Sequence, residues 1–214
     1  MGFDLQRGLM MLIPLVLSLS VHEFAHAWSA WKLGDDTASR MGRLTLNPIA
    51  HVDPIGTVLL PLLGIPFGWA RPVPVNPARF RQNVNMSTGM ALTAAAGPIS
   101  NILLAVLSTV ALALCWRWAP TAIAPGQGVG ELLQIMVLLN VNLALFNLIP
   151  VPPLDGSRVV DGFMPARLRP QWERVTALSP FLLLAVFVFA GRIISGPSSF
   201  VVGLLAQLAG AITA

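Results

Sequence analysis

Long apolar stretches dominate this chain and leave little room for any architecture but helices in lipid. The runs are Gly8 to Leu33, Ile55 to Phe67, Met86 to Trp118, Leu132 to Ile149, Ala177 to Ala190 and Phe200 to Ile212. A helix needs about 20 apolar residues to cross ~30 Å of hydrocarbon. The third and fourth runs meet that requirement readily. The first meets it only if Ser18, Ser20, His22, Glu23, His26, Ser29 and Lys32 turn inward. The last two are short and need their flanks. The second is short and carries Pro61, Gly64 and Pro66, so it reads as re-entrant or interfacial.

Composition points the same way. Apolar residues make up 55% of the chain and charged residues 10%, against about 25% charged in soluble domains. A water-soluble globular domain, a disordered chain and a disulfide scaffold are excluded. The net charge is +4, and Lys32 is the sole lysine, so the positive charge is nearly all arginine. These arginines lie between apolar blocks, which argues for membrane topology rather than nucleic-acid binding. Cys115 stands alone, so a metal must be held by His, Asp or Glu.

Charge bias orients the chain. Arg40, Arg43, Arg71, Arg79 and Arg81 fall in 34–86, and Arg158, Arg167, Arg169 and Arg174 in 151–174. The stretch 119–130 has no Lys or Arg. Positive loops stay in the cytoplasm. The pattern predicts an N-terminus outside, five crossings and one re-entrant element. It predicts an all-α polytopic membrane protein with one domain over 1–214: a core at 8–165 and a C-terminal helical hairpin at 175–214. Trp116, Trp118 and Trp172 near run ends suit an interfacial belt, as do Trp28 and Trp31. A competing reading takes Arg7, the apolar stretch 9–21 and Ala25-His26-Ala27 as a signal peptide. Cleavage there would remove the most informative residues in the chain.

Those residues are His22-Glu23-Phe24-Ala25-His26. Positions i and i+4 share one helix face, so both imidazoles can reach one metal. Glu23 sits about 100° round the helix, within reach of a water beside that metal. With this His and Glu content the motif arises by chance about 0.0006 times. Ionisable groups inside a membrane run cost ~2.5 kcal/mol or more and mark function. At 1.5 Å per residue His22 lies about 21 Å from Gly8, and His26 about 9 Å from Lys32. The metal would lie below the surface, in the cytoplasmic half.

A catalytic zinc takes three protein ligands and keeps one position open. The third ligand could come from His51, an aspartate, Glu131 or Glu173. Asp155 is the best candidate. It follows Asn147-Leu148-Ile149-Pro150-Val151-Pro152-Pro153-Leu154, where three prolines end the helix and force extended backbone. Irregular backbone at membrane depth is tolerated only inside protein or beside a wet cavity.

His22-Glu23-x-x-His26 with Asn147 to Gly156, ending in Leu-Asp-Gly, resembles the site-2 protease family of intramembrane zinc metalloproteases. Gly97-Pro98-Ile99-Ser100-Asn101 also looks like that family's Gly-Pro-x-x-Asn element. The resemblance covers roughly residues 10–165. It implies one zinc per chain, bound by His22, His26 and Asp155, with Glu23 as general base. It implies that Asn147 lies near the scissile carbonyl as a hydrogen-bond donor. It further implies a membrane-associated β-element at Trp69 to Pro77, with Arg71, Val73 and Val75 presenting an edge to an unwound substrate; a rigid Pro-rich linker is the alternative reading of the same stretch. The partners expected are a transmembrane protein substrate and the lipid of a bacterial or archaeal cell membrane. The expected form is short, without a PDZ-type or nucleotide-sensing domain. A surface metallopeptidase and a non-catalytic zinc-binding membrane protein stay open as alternatives.

The remaining polar features read as packing. Ala94-Ala95-Ala96-Gly97 lets helices approach closely. Gly97, Asn101 and Gly156 are expected to be structural residues near the site. Asn140 and Asn142 read as interhelical glue, His51 and Asp53 as turn residues, and Asp35-Asp36 as a solvent-side cap of the first run.

Overall fold

The computed structural model describes residues 5–63, 68–124 and 128–214, with side chains from Met10 onward. Its helices are α1 (Leu5–Leu33), α2 (Thr37–Arg40), α3 (Leu60–Leu62), α4 (Met86–Trp118), α5 (Val129–Asn147), α6 (Asp155–Phe163), α7 (Arg169–Ala177) and α8 (Ser179–Thr213). Four of these are long and apolar enough to cross a membrane: Met10–Leu33, Met86–Trp118, Val129–Asn147 and Ser179–Thr213. The protein is an integral membrane protein of all-α build, and no strand occurs among the described residues.

α4 is the hub, in contact with α1, α5, α6 and α8. Its buried positions are nearly all small: Gly89, Ala91, Thr93, Ala94, Gly97, Ala105, Ser108, Thr109 and Ala113. Lipid offers no hydrophobic gain for helix pairing, so close backbone approach must supply the contact. Asn85 caps its start, accepting from Ser87 N at 2.9 Å and Thr88 N at 3.4 Å. α1 buries Leu15, Ser18, Leu19, His22, Glu23, His26, Ala27 and Ala30. These recur every three or four residues, which is one helix face. Met11, Ile13, Leu17, Trp28 and Trp31 look outward. Lys32 Nζ sits 5.5 Å and 5.0 Å from the rings of Trp28 and Trp31.

Two expectations need correction. The expected C-terminal hairpin is one long helix, α8, after the short α7, so the candidate spans among the described residues number four rather than five. Arg192 and Pro197 lower hydropathy there without ending the helix, because a transmembrane helix tolerates proline when its neighbours satisfy the freed backbone. Val186, Ser198 and Leu205 are the buried positions of α8, which lies against α4 and α5. Ser198 Oγ donates to Asn142 Oδ1 at 2.8 Å. The expected β-element is also absent among the described residues. Segment 69–76 is extended, but Pro72 and Pro74 carry no N–H and side chains take several of its other backbone groups.

Those partners come from residues between 35 and 57. Thr57 Oγ1 donates to Trp69 O at 2.6 Å, and Arg71 N donates to His51 O at 2.8 Å. Arg43 Nη2 donates to Arg71 O at 2.5 Å and Pro72 O at 3.4 Å. Asn76 N donates to Asp35 Oδ2 at 2.6 Å. Asp35 is fully buried and not a solvent-side cap; its Oδ1 also accepts from Thr37 N at 3.0 Å. Asp36 is the solvent-side member, and the Arg40 and Arg79 guanidinium groups hold its carboxyl below the usual range.

Arg43 therefore pins the strap 69–76 from below. Arg43→Ala removes a charge-assisted bond worth about 1.5–3 kcal/mol. The expected result is at least tenfold faster hydrogen exchange at the Val73 amide, with exchange in α4 unchanged. Unaltered exchange across 71–76 would show that the strap is held by other contacts.

The described part of the second apolar run is a π-helical turn at Pro54–Leu59 followed by α3. It contacts α1 and is not among the candidate spans. Asp53 caps it, accepting from Ile55 N at 3.0 Å and Gly56 N at 2.7 Å. Gly64 and Pro66, which made the run look broken, lie outside the described residues.

Candidate metal centre

His22 and His26 lie on consecutive turns of α1, with ring centroids 4.6 Å apart and planes at 87°. Their Nε2 atoms are 3.0 Å apart. Asp155 is the first residue of α6, at a helix N-terminus that favours a carboxylate. Its Oδ2 lies 3.1 Å from His22 Nε2 and 3.3 Å from His26 Nε2. All three residues are buried. The turn that delivers Asp155 is tight. A Cβ on Gly156 would overlap Leu148 O, and it would lie 2.7 Å from Ile149 O. Glycine is needed there for room.

The outer nitrogens fix the chemistry. His22 Nδ1 is 2.6 Å from Asn101 Oδ1, and His26 Nδ1 is 2.7 Å from Thr93 O. Both partners are acceptors, so each Nδ1 carries a proton, and in the neutral imidazole each Nε2 is then a bare lone pair. Asp155 Oδ2 is buried and accepts no hydrogen bond. Three electron-pair donors thus converge, with nothing donating to them. Such a cluster is repulsive unless a cation sits among them. Tetrahedral zinc bonds of ~2.0–2.1 Å place ligand atoms about 3.3 Å apart, close to the spacing found. His22, His26 and Asp155 fit a divalent metal with N and O ligands, and zinc in particular.

Glu23, next along α1, is also buried. Its Oε2 accepts from Val73 N at 2.8 Å, so the strap's backbone reaches the carboxylate directly. Beneath the donors lies Gly97 of α4. A Cβ there would sit 2.5 Å from His26 Nε2 and 2.6 Å from His22 Nε2.

The other expected site residues divide. Asn101 touches His22. Val73 meets Glu23 through its N–H, while Val75 is half-buried further along the strap. The Arg71 side chain is exposed, and its backbone serves as an anchor. Asn147 donates from Nδ2 to Leu143 O on its own helix at 3.0 Å. Among the described residues it makes no hydrogen bond to His22, Glu23, His26 or Asp155. His51 stays away from the metal cluster and donates from Nε2 to Thr45 O at 2.8 Å. The Thr93 carbonyl was not foreseeable, since a backbone acceptor has no sequence signature.

Comparisons with known proteins point to one family. The family model described as Peptidase family M50 matches residues 117–190, a stretch that carries Asn147, Asp155 and Gly156. The chain is 41% identical over 179 residues to Putative zinc metalloprotease YwhC of Bacillus subtilis, spanning 83% of this chain and 80% of that protein. It is 30% identical over 178 residues to Putative zinc metalloprotease Rip2 of Mycolicibacterium smegmatis, spanning 81% of this chain and 64% of that one. A Rip2 of Mycobacterium tuberculosis is 31% identical over 169 residues, with 61% of its length covered. No solved structure matches the chain.

Proposed function

The chain belongs to Peptidase family M50, and from that premise we propose that it is an intramembrane zinc metalloprotease. It hydrolyses peptide bonds within or near transmembrane segments of membrane-protein substrates. The observation that carries this reading is the trio of electron-pair donors, 3.0 to 3.3 Å apart, two of them on a helix long enough to span lipid and the third at the start of α6.

His22, His26 and Asp155 hold one zinc. Bound there, zinc supplies Lewis acidity and makes water easier to deprotonate at neutral pH. Glu23 does the proton work: its carboxylate accepts a proton from the attacking water and returns it to the leaving amine. The Val73 N–H at Glu23 Oε2 fixes the direction of that carboxylate. Asn147 ends α5 beside the turn to Asp155 and serves as a donor to the substrate carbonyl. A substrate helix must unwind first, because its peptide groups are internally bonded, and weak helix formers such as Gly near the cut assist this. The arginine-bearing connectors, 34–85 and 148–178, face the cytoplasm. The N-terminus lies outside, and the site opens toward the cytoplasmic half.

The test is cleavage by purified, reconstituted protein of a membrane-spanning reporter, compared with the same sequence as a soluble peptide. The expected result is zinc-dependent cleavage of the spanning form at least tenfold faster. Equal rates would favour a surface peptidase instead. Asp155→Asn is expected to weaken zinc affinity by at least about a hundredfold, since losing even an outer partner costs 10–100-fold. Unchanged zinc content in that variant would remove Asp155 from the ligand set.

A further inference from the structure

The ligand His22 is the end of a buried hydrogen-bond chain that crosses three helices. Its Nδ1 donates to Asn101 Oδ1 of α4 at 2.6 Å. Asn101 Nδ2 donates in turn to Asn140 Oδ1 of α5 at 2.8 Å, and more weakly to Ser18 O at 3.4 Å. Asn140 Nδ2 donates to Met136 O at 2.8 Å and to Ser18 Oγ at 2.8 Å. Asn101, Asn140 and Ser18 are all fully buried.

The direction of this chain is not free. Met136 O is a backbone carbonyl and can only accept. It therefore fixes which end of the Asn140 amide is nitrogen. Asn140 Oδ1 then faces Asn101 and demands a donor, which fixes Asn101. Asn101 Oδ1 is left facing the imidazole and demands a proton on His22 Nδ1. In the neutral ring Nε2 is then the bare nitrogen, the state in which it can bind a metal. If either amide were reversed, an acceptor would meet an acceptor in the membrane interior, where no water relieves it.

We propose that Asn140 is a positioning residue for the metal centre, setting the tautomer and aim of His22 through Asn101. This rests on the zinc reading above and adds to it a residue on a helix that supplies no ligand of its own. The same helix provides the control. Asn142, two residues on, also makes an interhelical hydrogen bond, from Ser198 of α8, but it is not in the chain that ends at His22. A residue that merely glues helices would behave alike at both positions.

The experiment measures Zn²⁺ and Co²⁺ dissociation constants by chelator competition on the full chain in detergent, alongside thermal unfolding. Asn140→Leu is expected to weaken Zn²⁺ and Co²⁺ at least tenfold, toward the range found for outer partners of metal ligands. Asn142→Leu is expected to stay within about twofold of the parent for metal while losing comparable thermal stability. Asn140→Ala, smaller and without the acceptor, gives the same answer if leucine blocks folding. Asn140→Asp, as the buried neutral acid with its O–H on Met136 O, keeps an acceptor for Asn101 and is expected to restore affinity to within about threefold of the parent. Parent-like affinity in Asn140→Leu and Asn140→Ala overturns the proposal while leaving the zinc reading intact. Equal losses at 140 and 142 overturn it as well. A parent that binds neither metal overturns both readings.

Discussion

Glu23→Gln is expected to hold zinc as the parent does and to lose cleavage by about a thousandfold, within the 10²–10⁴ range of a positioned general base. The structure makes this substitution unusually clean. Gln matches Glu in size, and Glu23 is not one of the three clustered donors. Among the described residues its carboxylate accepts from Val73 N, and an amide oxygen can accept that bond too. The strap therefore keeps its anchor, and the variant loses only the ability to take up a proton. Glu23→Ala would be less informative, because it also frees Val73. The measurement is zinc per chain together with the single-turnover rate on a reconstituted spanning reporter. Parent-like cleavage with full zinc would remove Glu23 from proton transfer and leave the centre without a base.

The site was legible in the sequence where side chains carry the chemistry, and opaque where backbone does. His22 and His26 could be paired because a helix puts i and i+4 on one face. Asp155 could be favoured because the proline-rich break before it makes sense only beside a buried site. The main-chain partners could not be read. Val73 N–H on Glu23, Thr93 O on His26 and His51 O on the strap are main-chain groups, and any residue offers them. Asp35 and Asp36 are identical as letters, yet one is buried under Asn76 N and the other pairs with Arg40 and Arg79 in solvent. Only tertiary placement separates them.

The span count failed for a related reason. Hydropathy reports where a residue is comfortable, not whether the helix continues through it. Arg192 and Pro197 divide one into two apolar runs, but α8 passes through both. The third run shows the opposite case. Its limits, Met86 and Trp118, are those of α4, because Asn85 caps its start and Pro120 follows its end. Where punctuation in the sequence is a cap, the boundary is physical. Where it is only a polar interruption, it need not be.

Gly97→Ala is expected to disable the metal centre with a single methyl. The added Cβ would lie 2.5 Å from His26 Nε2 and 2.6 Å from both His22 Nε2 and Cε1. Ordinary non-bonded contacts to carbon are about 3.5–4.0 Å. Relief requires α4 to move away from α1 or the imidazoles to swing aside. The first would break the bonds from His22 to Asn101 and from His26 to Thr93, at 2.6 and 2.7 Å. The second would turn both Nε2 atoms away from Asp155. Either way the donor cluster opens. Zinc affinity is expected to fall at least a hundredfold, beyond the ~1–3 kcal/mol that overpacking costs in stability. The control is Gly203→Ala in α8, where nothing lies within 4 Å of the added carbon. That change is expected to leave zinc binding untouched and to stabilise the helix slightly. The measurement is zinc retained after gel filtration, read against the unfolding midpoint of each variant. If Gly97→Ala kept zinc and activity like Gly203→Ala, α4 could not lie so close beneath the two histidines, and the centre would have a different floor.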